Sequence, residues 1–312
     1  MMHRTSTIVF SRGLSLAVAL ASTALAAAQA PPQTGHFRLR LSLVQDEVSV
    51  AEPVRLLLEA QVEDGPVAGR MLLEPAANRG QVTVTGAGAT RKYQFRDLLG
   101  ISPRVSLDML PPRVFAVQET GARSQSELWL SYSRREGRYI LAEPGRYQLQ
   151  VFAMAFYGAE YDTAKIEQVS SNVASVTVRE PADAESAELW QLPLQALLFL
   201  GRENSLSLLT HDHADSTYAH YARFALAADE AATVTDRTLL LRKVVDSPGA
   251  PLQLLDPALL RLADLLWRDG RLEDARAAYE RVLQLPTASS TSKQAARKLL
   301  DALGLQMRPR PK

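Results

Sequence analysis

The chain of 312 residues contains no cysteine. That excludes disulfides, a thiol nucleophile, a thiolate metal site and the lipid-attachment cysteine of a bacterial lipoprotein. Histidine is scarce, at five residues, so few candidates exist for a histidine-based triad. Charge of one sign is not in excess: 35 basic residues stand against 34 acidic ones. Such a balance gives no electrostatic case for binding nucleic acid or an anionic membrane surface. After the first 28 residues no apolar run is long enough to cross a membrane. There is no Gly-x-Ser-x-Gly elbow, no phosphate-cradling Gly-x-x-x-x-Gly-Lys loop and no His-Glu-x-x-His helix.

The N-terminus has the pattern of a secretory signal. Arg4 and Arg12 lie at its start, and Leu14 to Ala28 is almost wholly apolar. It ends in the small residues Ala26, Ala27 and Ala28. This run of about 15 residues fits a signal h-region and falls short of the roughly 20 a bilayer span requires. Cleavage after residue 28 removes two arginines and no acid, so 35 − 2 leaves 33 bases against 34 acids, a net charge of −1. A periplasmic or secreted address is expected, with no membrane insertion once the signal is gone.

From about His36 to Arg179 the apolar residues recur with period two. Phe37, Leu39, Leu41 and Leu43 alternate with Arg38, Arg40 and Ser42; Val54, Leu56, Leu58, Ala60 and Val62 alternate with Arg55, Glu59 and Gln61. The pattern continues at Val82 and Val84, Tyr93 and Phe95, Val105, Leu107 and Met109, and Leu128, Leu130 and Tyr132. Alternation of this kind buries one face of an antiparallel sheet and leaves the other, Arg55 included, in water. Gly65-Pro66, Gly86 to Gly88, Pro111-Pro112 and Pro144-Gly145 punctuate the strands as turns.

Beyond a boundary at Glu180-Pro181-Ala182-Asp183-Ala184 the period becomes 3.6. Tyr218, Tyr221, Ala222, Ala225 and Leu226 share one helix face. Leu259, Leu262, Ala263 and Leu266 share another; Gly270 breaks that helix. Leu272, Ala275, Tyr279, Val282 and Leu283 begin the next, which Pro286 stops. A last helix is expected from about Ser292 to Leu303. The domain plan is therefore a signal peptide at 1–28, a sandwich at 35–180, a helical domain at 183–304 and a flexible basic tail at 305–312.

Two resemblances follow from these segments. Glu143-Pro144-Gly145-Arg146-Tyr147 with Leu149 resembles the tyrosine corner of immunoglobulin-like domains, with Leu149 where antibody domains place a cysteine. Ser171 to Val178 resembles the final strand of such domains, and Ala51-Glu52-Pro53-Val54 an early strand of exported bacterial ones. The resemblance implies an antiparallel β-sandwich in which the Tyr147 hydroxyl bonds back to the backbone. Ala263, Gly270, Ala275 and Tyr279 resemble a tetratricopeptide repeat: a small residue, the turn glycine, the alanine at the helix contact and the aromatic one turn later. The implied fold class is multidomain β plus α, an immunoglobulin-like sandwich followed by an all-α, tetratricopeptide-like domain.

One segment invites a metal. Thr210-His211-Asp212-His213-Ala214-Asp215 matches the opening of the motif of metallo-β-lactamase-like hydrolases, Thr-His-x-His-x-Asp-His. Ser216 stands in the last ligand position, no histidine follows His220, and the segment sits between helical patterns. Catalytic zinc needs three protein ligands and an open position, so a solvated loop is expected and no metal or cofactor is assigned. Among the aromatics, Trp129 is expected in the core. Tyr157 and Tyr161 bracket Gly158 in an expected loop between the last two strands, where immunoglobulin-like loops cluster for recognition. They are the candidate binding residues. Carboxylate counting leaves a two-carboxylate glycosidase open.

The composite expectation is a non-enzymatic exported interaction or scaffold protein whose partner is another envelope or secreted protein. The alternatives are a metal-dependent hydrolase using His211 and His213, or a carbohydrate-binding module using Tyr157 and Tyr161.

Overall fold

The structure is a computed structural model and describes residues 37–63, 69–72, 80–99, 114–117, 123–133, 135–157, 165–180, 209–228 and 232–306. The signal segment, the strand expected at Val105, Leu107 and Met109, the boundary at Pro181, Tyr161 and the tail from residue 307 lie outside these residues.

Antiparallel sheets come first and helices follow. Strands β1 (Phe37–Leu43), β3 (Val54–Val62) and β9 (Arg123–Leu130) form one sheet in the order β1-β3-β9. The second sheet is built around β12 (Gly145–Tyr157). On one side of β12 lies β14 (Ala174–Arg179), followed along the same edge by β13 (Lys165–Ser170). On its other side lie β5 (Gln81–Gly86) and then β4 (Gly69–Leu72). β6 (Ala89–Gln94) pairs with β5, and β8 (Val114–Val117) with β4. β2 (Glu47–Ser49) lies parallel to β14. The short strands β7 (Leu98–Leu99), β10 (Tyr132–Ser133) and β11 (Arg138–Tyr139) form a third, small sheet.

The period-two expectation places the core well. Leu39, Leu41, Leu56 and Leu58 of the first sheet share one buried cluster with Val82, Leu149, Val151, Val176 and Val178 of the second. Each fully buried leucine or valine contributes about 1.5–3 kcal/mol. Tyr147 ties a turn to this core: its hydroxyl donates to the carbonyl of Glu143 at 2.8 Å, the bond expected of that segment. Its ring packs against Gly86, where an added Cβ would lie 2.3 Å from the ring. β12 runs to Tyr157, its apolar residues continuing beyond Val151 through Phe152, Ala153, Met154, Ala155 and Phe156.

After a helical turn at residues 209–212 come α1 (Thr217–Leu226), α2 (Val234–Val245), α3 (Leu252–Arg268), α4 (Leu272–Gln284) and α5 (Ser290–Gln306). Ser216 caps α1 by accepting from the Ala219 N–H, and Thr233 caps α2 through Asp236 N–H, each filling one of the orphan donors of a first turn. Consecutive helices pack on one another around one shared core in which Ala263, Ala275, Tyr279 and Val282 are fully enclosed. Gly270 turns the chain between α3 and α4 at φ +77°, a conformation glycine adopts without steric cost. Among the described residues no helix is long and apolar enough to cross a membrane.

Two expectations are corrected. Arg55, placed in water by its alternation, is 0% exposed. The outer face of β3 does point away from the sandwich core, but helices cover it. Trp129 lies on that same outer face, half-buried against the helical core rather than inside the sandwich.

Candidate functional site

A buried polar seam joins the first sheet to the helices. β1 stops pairing at Leu43↔Leu56, which leaves the Arg55 N–H without a partner from that strand. The side chain of Gln253, in the first turn of α3, accepts it at 2.8 Å. The guanidinium of Arg55 faces Asp256 of α3 in a two-pronged ion pair, with Nη2 donating to Oδ2 at 2.8 Å and Nη1 to Oδ1. Neither side chain of this pair is exposed. From the neighbouring strand Glu127 accepts from Arg55 Nε at 3.1 Å and from Nη2 at 2.8 Å. Arg55 also lies 5.7 Å from the ring of Trp129, its register neighbour on β9. Burial disfavours the guanidinium charge, but the hydrogen bond it donates to Asp256 and the charges of Glu127 and Asp256 outweigh it and hold its ionisation above the ordinary arginine value.

The second half of the seam centres on Glu52, 4% exposed in the turn between β2 and β3. Its carboxyl accepts from the Ser49 N–H at 2.8 Å, the Tyr221 hydroxyl at 2.8 Å and Gln45 at 3.0 Å. Gln253 Nε2 stands 3.4 Å from the same carboxyl and also donates to the Tyr221 oxygen and to the Pro53 carbonyl. Tyr218 donates to the Val50 carbonyl. Burial pushes the Glu52 carboxyl upward, against the pull of the Ser49 N–H and the side-chain donors. Burial and the neighbouring Glu52 also push both phenols, Tyr218 and Tyr221, upward.

The bonds just named come from alternate helices. Tyr218 and Tyr221 lie on α1, and Gln253 and Asp256 on α3. Ser289, just ahead of α5, bonds Glu127, while Ser290 N–H donates to Gln125 at 3.1 Å. The N-terminal ends of α1 and α5 thus meet acceptor groups of the sheet segments, the orientation that the helix dipole favours, whereas α3 meets the Arg55 cation and answers it with Asp256.

The other candidates fall elsewhere. His211 is helical, the last turn of residues 209–212, and exposed; His213 follows in a turn. Among the described residues no group of three or more histidine, aspartate or glutamate side chains is placed to hold a metal. Tyr157 is the last residue of β12, opposite Lys165 and Gly69, and not a loop residue. The strand extends to it because the hairpin with β13 reaches Phe156↔Ile166 and Tyr157↔Lys165. Sequence reasoning missed Arg55, Gln253 and Asp256. The available signal was polar residues breaking an apolar helix start, and a tryptophan and a glutamate sharing the outward positions of β9 opposite an arginine.

No protein-family model matches the chain, and no curated protein sequence matches it either. Solved structures give low-scoring likenesses. The CARDB domain of the PF1109 protein from Pyrococcus furiosus, solved with di-metal ions, is 9% identical over 46% of this chain and 91% of that one, with a TM-score of 0.23. The sporulation control protein Spo0M from Bacillus subtilis is 10% identical over 52% and 56%, at 0.24. A β-glucosidase from Listeria innocua bound to glucose is 13% identical over 44% of this chain and 16% of its own, at 0.22. At such TM-scores these likenesses carry no weight for fold or activity.

Proposed function

We propose that the chain is a non-enzymatic exported protein that binds another envelope or secreted protein, using an immunoglobulin-like sandwich joined to tetratricopeptide-like helices. The observation that carries this reading is the enclosure of Arg55 by Asp256, Glu127 and Gln253. The most elaborate polar cluster described has its valences filled by the chain itself, so it serves to join two binding-type architectures rather than to turn over a substrate.

The finer fold assignments have their own support. β1 pairs in the first sheet while β2 runs parallel to β14 in the second, so the opening segment is divided between sheets. With the Tyr147 bond, that arrangement favours the immunoglobulin-like reading. Ala263, Ala275 and Tyr279 buried around the Gly270 turn favour the repeat reading. Domain limits near residues 35–180 and 183–304, and cleavage after residue 28, belong to the same proposal, as do binding contacts at Tyr157 and Tyr161.

A photo-cross-linking amino acid at exposed Leu239 of α2, at exposed Leu252 of α3 or at Tyr157 tests it in cells that export the chain. A discrete adduct with one envelope or secreted protein is expected from at least one position. The reading fails if no position gives an adduct and the purified chain shows hydrolysis that disappears in a His211→Ala, His213→Ala double variant.

A further inference from the structure

We infer that docking of the helices onto the sheet is coupled to protonation of Glu52, so that the seam is a proton-linked latch. The charge count of the seam carries the inference. The seam holds three carboxylates, Glu52, Glu127 and Asp256, and one guanidinium, and Arg55 spends its donors on Asp256, Glu127 and the Gln253 carbonyl. Glu52 is left with neutral donors only: Ser49, Gln45, Tyr221 and Gln253.

A buried carboxylate without a counterion is costly, and the neutral form is the usual escape. The groups around Glu52 offer no other compensation. From the β2 segment come Gln45 and Ser49; from β3, Arg55, already paired. From β9 comes Glu127; from α1, Tyr218 and Tyr221; from α3, Gln253 and Asp256. Arg179 of β14 pairs with Glu47 at the surface. On separation Glu52 returns to water and ionises as an ordinary carboxyl. The raised ionisation of the docked carboxyl agrees in direction.

The sign follows. A carboxyl that holds its proton more tightly in the docked state strengthens docking at low pH, and that contribution is lost as pH rises through its raised value.

The absence of cysteine makes the test direct. Arg40→Cys on β1 and Lys243→Cys on α2, both at exposed positions, take a fluorophore pair that reports the distance between sheet and helices. Urea-induced loss of energy transfer is followed from pH 5 to pH 9 in this background, with and without Glu52→Gln. Above about pH 6.5, the ordinary histidine value, where the His220 contribution is complete, the midpoint is expected to shift to lower urea as pH rises with Glu52 present, and across the whole range the gap to the Glu52→Gln protein should widen with pH. Parallel pH slopes in the two proteins overturn the coupling. If Glu52→Gln does not fold, NMR of glutamate carboxyl carbons in the unaltered chain decides: one glutamate titrating above the ordinary range supports the latch, and none overturns it. Docking is read without any partner, so failure to find a binding protein leaves this coupling intact.

Discussion

Arg55 and Asp256, separated by 201 positions in the chain, form an ion pair from which solvent is wholly excluded. Breaking such a pair by removing one member leaves the other charge buried alone, which costs about 3–5 kcal/mol. Arg55→Met, which strands Asp256, should therefore lower the urea-unfolding free energy by about that amount, and Asp256→Asn by less, because Arg55 keeps Glu127. Arg55→Met combined with Asp256→Leu should recover most of the loss, since an apolar pair of similar volume is often neutral. Single-variant losses below about 1 kcal/mol would mean that the seam is wet in solution.

Much of the sandwich was legible in the sequence because strand alternation reports one local property, which face is apolar. Leu39, Leu41, Leu56, Leu58, Leu149 and Val151 are buried as the pattern requires. The seam was not legible for the same reason. Alternation says that Arg55 points away from the sandwich core, and that is correct; it cannot say that a helix 200 residues later covers that face. The helical periodicity likewise found the buried faces at Leu259, Leu262 and Ala263. It gives no signal at Gln253 and Asp256, since their role appears only once the sheet is in place. Tyr157 reads as a loop residue beside Gly158, but the continuous apolar run from Val151 to Phe156 carries the strand to it.

Ala51 holds a left-handed backbone, φ +60°, while its side chain is 1% exposed. An L-residue there costs about 1–2 kcal/mol. Glycine removes that cost but adds roughly 0.5–1 kcal/mol of chain entropy and forfeits about 0.8 kcal/mol of methyl burial. These contributions nearly cancel, so Ala51→Gly should be neutral within about 1 kcal/mol. Ala51→Val, β-branched at positive φ, should cost about 2 kcal/mol or more. Chemical denaturation of the two variants checks the ordering, which reverses if the turn is relaxed in solution.

Tyr147→Phe removes the hydrogen bond to the Glu143 carbonyl and keeps the ring. A loss of about 0.5–1.5 kcal/mol is expected. Gly86→Ala attacks the same contact from the other side, because the new Cβ meets the Tyr147 ring. It should cost about 1–3 kcal/mol as overpacking. Thermal unfolding of both variants measures this, and an unchanged midpoint for Gly86→Ala would show that the ring swings aside freely.

Ala275 is 0% exposed in the contact between α3 and α4. Ala275→Leu inserts three carbons into a closed space and should destabilise by about 1–3 kcal/mol, whereas Ala275→Gly should lose helix propensity of about 1 kcal/mol. Urea denaturation followed by circular dichroism distinguishes the two. Equal stability of Ala275→Leu and the unaltered protein would place that position in solvent.

His220 on α1 is 2% exposed, and burial lowers its ionisation to about 4, with the neighbouring Arg223 charge adding to the effect and Asp215 opposing it. Its Nδ1 lies 3.5 Å from Arg223 Nη1. The folded protein therefore keeps the ring neutral, whereas the unfolded chain takes up a proton near the ordinary value of about 6.5. A lowered folded value means that the unfolded state binds more protons between those limits, so stability is complete above about 6.5 and falls as pH drops toward about 4. Carboxylates titrate in the lower part of this range, and a comparison with His220→Gln removes their common contribution. Below pH 6.5 the unaltered protein should lose stability more steeply than His220→Gln, and above it the two curves should run parallel. Urea titrations at half-unit pH steps measure both slopes. Identical slopes below pH 6.5 would show that His220 is hydrated in solution and that α1 lies more loosely than its burial implies.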